Sequence, residues 1–417
     1  MAVNTTWNAS FINANGGTPA AAEAAFATGV AAGRSYLNVH SASFPGGEIR
    51  GTLVLHSFVP AASSRAGSLA AALNSLGAGT GAVSDKLVGM AMMDMAGQQA
   101  AMEKLLPASS FAVQAATSNA LFVNFDQMGS RMQGLRVAPD TTTAGNNGAW
   151  VKAASLSGEQ DADRGVAGFD NEGWDLALGY DRQLSPGLIV GVAFNLAKNS
   201  LDFNDQSAGS NTDISTSQFS FYGTRQLGSG YLEGMIAFGQ HDTDFVRNAG
   251  FADLVRAQAD SDQVGARIGG GVSVDLSSIV TMTPQARLDW ISLDQDRYQE
   301  TGGGGLALNV ASQTLDRMRA SVGAQFDWQT ESGASPFVRG FWNHDLKDDN
   351  SIQRASFVSG GSSFVDIGQR LDSFSYTLGV GINFQGQNGI SGAIAYDLSD
   401  SDIYESDIFH ARILWVF

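Results

Sequence analysis

Cysteine is absent from all 417 residues, and this removes disulfides, thiolate metal sites, cysteine nucleophiles and CxxC redox chemistry together. No apolar run is long enough for a membrane-spanning helix, which needs about 18 or more consecutive residues. Basic residues are scarce, 24 against 41 acidic ones, and the net charge of −17 argues against nucleic acid as a partner. No HExxH, GxSxG or Walker sequence occurs, and the five histidines are scattered. The expectation is therefore a chain that is not an enzyme, with no cofactor and no metal. His40 and Glu48 face each other across a hairpin, but a structural role is the preferred reading of both. The opening Met1-Ala-Val-Asn-Thr-Thr-Trp7 has neither a basic start nor an apolar stretch. Taken literally it places the protein in the cytoplasm; a truncated reading of a longer chain is the preferred expectation.

What is present points elsewhere. With 43% apolar residues and a mean hydropathy of −0.05, the composition is not that of a disordered chain. Such an average also fits a transmembrane β-barrel, whose strands alternate apolar and polar residues. Acid and base balance within residues 1–146, so the whole −17 belongs to residues 147–417. Four segments follow: a β-like piece at 1–58, an Ala/Gly-rich helical linker at 59–107, an amphipathic helix at 108–138, and an acidic, aromatic-rich part at 147–417.

Period-two alternation fills the last segment. Phe374, Tyr376, Leu378, Val380, Ile382 and Phe384 share one face, with Ser375, Thr377, Gly379, Gly381 and Asn383 on the other. Twelve strands are expected, near 148–158, 172–183, 187–199, 213–227, 230–242, 258–275, 279–296, 312–328, 336–346, 371–384, 389–398 and 407–417. Their connections alternate strictly between short turns and long, acidic, glycine-rich loops. Short inner turns and long outer loops describe an antiparallel outer-membrane barrel, with roughly 9–11 spanning residues per strand. The aromatics Trp150, Trp174, Trp290, Trp328, Trp342, Tyr396 and Trp415 lie near strand ends, as interfacial girdles require. Arg267, Arg287, Asp289, Arg317, Arg319 and Asp327 fall in the inward phase, where they would line a polar lumen.

In 108–138, Leu121, Phe125, Met128 and Met132 recur at four- and three-residue steps. Asn119, Asn124, Gln127 and Arg131 take the opposite face, and Ser109 or Ser110 is the expected cap after Pro107. Its place just before the first strand suggests a plug in the lumen, with Arg131 among the lining carboxylates. The chain ends on an amphipathic strand whose outward residues are Phe409, Ala411, Ile413 and Trp415, followed by Phe417. A terminal phenylalanine in such a strand resembles the signal read by the barrel-insertion machinery, although Arg412 stands where that signal usually has glycine.

Together, "LLPASSFAVQAATSNALFVNFDQMGSRMQGLR", "GAWVKAASLSGEQ", "GFDNEGWDLALGYDRQL" and the closing "ARILWVF" resemble the translocator domain of autotransporters, the type V secretion family, over about residues 80–417. Residues Tyr36 to Gly51 resemble the closing strands of a chordin-type (CHRD) domain, of which only the last portion is present. The resemblance implies an all-β fold with a luminal α-helix: a twelve-stranded antiparallel barrel in the outer membrane of a Gram-negative bacterium, exporting or displaying its N-terminal segment outside the cell. The implied partners are outer-membrane lipid, lipopolysaccharide and the barrel-assembly machinery, with a monomeric barrel. An adhesive display protein and a porin-like channel are the alternatives.

Overall fold

The computed structural model describes residues 7–32, 34–47, 49–53, 56–77, 82–137, 147–330, 333–347, 351–368, 372–386 and 389–416. The chain forms two compact units, Met1–Pro60 and Ala61–Phe417.

The first unit is not only β-like. Helices α1 (Ala9–Ala14) and α2 (Pro19–Ala31) precede the expected hairpin, Ser35–Val39 paired with Ile49–Leu53. Both helices start on side-chain caps. Asn8 accepts from the Ser10 amide, and Thr18 accepts from the Ala21 amide with Pro19 at the first helical position. That Thr-Pro start before an alanine run was legible, and the β reading passed over it. In the hairpin turn, Gly47 has a φ of +112°, which a side chain would strain. His40 Nδ1 lies 2.7 Å from the Pro45 carbonyl oxygen, the structural role expected of it; Glu48 lies outside the described residues.

The second unit is built on a closed barrel. Its strands are β1 (Asn147–Gln160), β2 (Phe169–Ser185), β3 (Leu188–Phe203), β4 (Asn211–Leu227), β5 (Gly230–Asn248) and β6 (Leu254–Val272). Then follow β7 (Val280–Gln295), β8 (Gln313–Trp328), β9 (Ala334–Asp345), β10 (Phe374–Gln385), β11 (Ile390–Ser401) and β12 (Tyr404–Val416). Each pairs antiparallel with its neighbour in sequence, and β12 closes on β1 from Tyr404 opposite Gln160 to Val416 opposite Gly148. Closure leaves no unpaired edge, the condition for a sheet to stand in lipid. The inner turns are tight: Gly187 and Gly228 take φ of +73° and +65° in two of them.

The strands exceed the expected spanning length, reaching 19 residues in β5 and β6. The surplus lies on the outer side, where outward positions change from apolar residues to Glu172, Asp244, Asp260, Asp294 and Asp407, all exposed. Below them the outward face is Trp174, Leu176, Leu178, Phe194, Phe219, Phe238 and their neighbours, exposed as lipid-facing residues are. No helix among the described residues is long and apolar enough to cross a membrane.

One correction concerns the outer loops, and a second the role of the helical linker. The outer loops at 297–311 and 347–370 contain a four-stranded sheet, Tyr298–Gln299, Leu308–Val310, Ile352–Phe357 and Gly360–Ile367. The linker 59–107 is helical as expected, with α3 (Gly67–Ser75), α4 (Ala82–Ala91) and α5 (Met95–Leu105), but it is no free linker: α3 packs on Gly360–Ile367, α4 on Gly303–Gly305 and α5 on the outer turns Asp205–Ser207 and Gly250–Ala252. Residues 78–81 lie outside the described residues.

Candidate functional site

Helix α6 (Ala108–Val137) fills the lumen. It is 30 residues long and begins before Ser109 and Ser110, so neither caps it. Instead the Ser110 hydroxyl lies 2.8 Å from that of Tyr298, and Gln114 accepts from Ser351, both in outer loops. Near the other end, Gln133 donates to Asp327, one residue from the inner end of β8. The helix therefore runs from the outer mouth inward, and the chain before it lies outside.

Leu121, Phe125, Met128 and Met132 form a buried cluster with the barrel's Ala177, Ala193, Met235, Ala237 and Leu414. Gly265 makes the space, because a Cβ there would come within 2.6 Å of Leu121 and 2.9 Å of Phe125. The expected polar face is buried too: Asn124, Gln127 and Arg131 are 7%, 5% and 2% exposed. A helix enclosed by a wall has no solvent side, so an amphipathic pattern here sorts partners rather than separating core from water.

Ion pairs clamp the helix. Arg131 donates to both oxygens of Asp181 at 2.9 and 2.8 Å. Asp181 also accepts from Tyr222, whose oxygen receives the Trp150 indole N–H at 2.9 Å. Trp150 is thus a luminal residue, not part of an interfacial girdle. Its ring lies flat over Gly179, where a Cβ would sit 2.1 Å from it, as Tyr222 lies over Gly191. On the helix's other flank Asp126 accepts from Arg267 and Arg287, each at 2.7 Å. Arg267 also holds Asp289 in two bonds of 2.5 and 2.7 Å. Arg317 reaches Ser118 and Asn119, shares Asp345 with Arg319, and both guanidiniums sit over Phe122. Arg339 pairs with Asp397 and reaches Ser130.

All six inward polar residues expected from the sequence line the lumen. The sequence reading did not single out the paired carboxylates Asp126, Asp181, Asp345 and Asp397, nor Arg339. The period-two phase gave a signal for three of them, since Asp181, Asp345 and Asp397 alternate with outward apolar residues. Arg412 points inward, beside Gly134. Phe409, Ile413 and Trp415 face outward at 51%, 57% and 55% exposure, and Phe417 lies outside the described residues.

Above the lumen, α3–α5 close over the mouth. Arg65 holds both oxygens of Asp366 at 2.7 Å and donates to the Gly165 carbonyl at 2.6 Å, joining two different outer loops. Burial pushes the Asp366 carboxyl above its ordinary pKa, against the pull of Arg65. Lys86 donates to Asp253 and to the Phe251 carbonyl. Arg247 pairs with Glu300 and donates to the Lys104 carbonyl at 2.8 Å.

The Autotransporter beta-domain family model matches residues 149–397. The chain belongs to this family. A second model, the CHRD domain, matches residues 2–53. Outer membrane protein B of Rickettsia prowazekii is 24% identical over 270 residues, 62% of this chain but 16% of that protein. Lipase 1 of Photorhabdus luminescens is 27% identical over 218 residues, half of this chain and 33% of its own length. The chain thus spans a small part of the relatives it matches. Among solved structures, the translocator domain of NalP from Neisseria meningitidis aligns at a TM-score of 0.58 and 17% identity, covering 74% of this chain and 99% of that one.

The autotransporter barrel is therefore an outer-membrane translocator that exports an N-terminal passenger. Helix direction fits this independently. Ser110 and Gln114 meet outer loops while Gln133 meets the inner end of β8, so the plug enters from the outer mouth.

Proposed function

We propose that this autotransporter keeps its N-terminal segment attached and displays it at the cell surface, with no catalytic work of its own. The double clamp on α6 carries this reading: Asp126 and Arg131, both charged residues of opposite sign, are held by separate parts of the barrel wall. A helix fixed at two such points retains whatever is joined to its outer end. The luminal carboxylates Asp181, Asp289, Asp345 and Asp397 are each engaged by arginine, which leaves them poorly placed as acids or bases. The CHRD-like hairpin is then cargo, and the wide range of relatives sharing this barrel fits a carrier indifferent to what it carries. An epitope placed before Trp7 should be removed by external protease on intact cells and be missing from the medium. Its steady appearance in the medium would sink display in favour of secretion.

The finer partners belong to the same proposal. Outward-facing Phe409, Ile413 and Trp415, with Phe417 behind them, suit recognition by the barrel-assembly machinery. The carboxylates above the apolar band suit contact with lipopolysaccharide through bridging cations. Replacing Trp415 and Phe417 with serine should lower the outer-membrane level of the protein and raise its periplasmic degradation. Unchanged levels would remove this strand as the signal.

A further inference from the structure

The lumen needs only α6 to be full, yet the barrel carries a second closure. Residues 61–77 and 82–106 are tied to outer connections around the rim. Arg65 reaches the β1–β2 loop and the hairpin between β9 and β10. Helix α4 meets the β5–β6 loop through Lys86 and the β7–β8 loop through Val83, which nearly touches Gly305. Helix α5 packs on the β3–β4 loop at Asp205–Ser207. Helix α3 locks onto the outer hairpin, Ser75 accepting from the Ser362 amide and Ser68 donating to the Val365 carbonyl. The apolar faces of this layer, Leu69, Leu73, Met90, Met102 and Leu105, are fully buried with Phe357 and Phe364.

We propose that residues 61–77 and 82–106 form a lid, an outer gate that seats on the loops after export and shuts the pore independently of the plug. The proposal rests on the display reading in one respect: the lid stays only where the chain is not cut between it and the plug helix. Three observations favour a gate over a passive linker. Two of the segment's three cations, Arg65 and Lys86, meet Asp366 and Asp253 of the outer loops. Besides the contact of α4 with α5, each helix packs on an outer connection, α3 on Gly360–Ile367, α4 on Gly303–Gly305 and α5 on Asp205–Ser207, so the layer takes its seat only once those connections have formed. It also lies N-terminal to a helix that fills the lumen, so it reaches the rim only by passing through first. Two closures in series mean that loosening one leaves the pore shut, which a plug alone does not provide.

The test uses the purified full chain in planar bilayers, with heat-modifiable migration confirming that each barrel is folded. With the plug clamp removed by Asp126→Ala and Arg131→Ala, conductance should stay near that of the parent. Adding Arg65→Ala and Arg247→Ala should raise it roughly tenfold. Because the chain lacks cysteine, Ser75→Cys with Ser362→Cys, whose hydroxyls lie 3.1 Å apart, then gives a reversible latch in that open variant. Oxidation should close the pore and a reductant reopen it in the same molecules, which a misfolded barrel would not do. The lid is overturned if the clamp variant alone conducts as well as the quadruple variant, if the quadruple variant stays shut, or if reduction changes nothing. Shedding of the N-terminal epitope into the medium would overturn display while leaving this conductance result standing.

Discussion

Arg131 shows how strongly single residues set this structure. It is 2% exposed, and its partner Asp181 is equally enclosed. Breaking a buried pair by removing one member costs about 3–5 kcal/mol, since the other charge stays behind. Arg131→Ala should therefore lower the temperature at which the barrel loses its folded migration, and Arg131→Lys, which cannot form the fork, should fall between the two. An unchanged transition for Arg131→Ala would mean that solvent already reaches Asp181. Gly179 gives a steric counterpart. Valine there would collide with the Trp150 indole, breaking its bond to Tyr222, and should lower the same transition; a neutral result would show that the ring can swing aside. Residue identity alone misled the reading of Trp150, because interfacial and luminal tryptophans look alike in composition. Its phase was informative: Trp150 shares a face with Lys152, which is 3% exposed. A lysine at membrane depth belongs in the lumen.

At the level of elements, the strands were the most legible part, since period-two patterning and closure act on every one of them. Their inner ends are fixed by tight turns and were placed within a few residues. Eight of the twelve outer ends were placed short, because above the apolar band the alternation inverts: outward positions turn polar, as at Glu172 and Asp244, while inward ones such as Phe169, Phe203, Phe245 and Val255 are buried and apolar. Helix α6 was legible through Leu121, Phe125, Met128 and Met132. The lid was not, for a physical reason: α3 has only 9 residues and α4 only 10, and their partners lie far along the chain, in loops read as irregular. Composition cannot distinguish such a layer from a linker. The plug helix has a related dependence on its surroundings. It is rich in Ser, Asn, Gln and Thr, has glycine at 129 and 134, and finds its stability in the wall rather than in propensity. A peptide of residues 108–137 should accordingly be mostly coil by circular dichroism in water. A strongly helical peptide would mean that the plug forms before it meets the lumen.

For the whole molecule, the division into two units has a consequence that protease can read. Trypsin cuts after lysine and arginine in accessible, flexible backbone. In the first unit Arg34 is exposed. In the second, the basic residues preceding the barrel are engaged: the Arg65 side chain is 7% exposed on Asp366, Lys86 is tied to Phe251 and Asp253, and Lys104 gives its carbonyl to Arg247. Each such bond must open locally before a protease can take the strand, so cleavage there follows the opening equilibrium of the lid. Trypsin added to intact cells should therefore trim the chain near Arg34 within minutes and leave a persistent membrane fragment that retains lid, plug and barrel. Adding Arg65→Ala and Arg247→Ala should move the cut inward, to Lys86 and Lys104, without touching the barrel strands. Cleavage at Lys86 or Lys104 as fast as at Arg34 in the parent would mean that the lid spends its time unseated. The net charge of −17 then acquires a mechanical meaning: it concentrates acid on the barrel and its rim, where the passing chain's few cations come to rest.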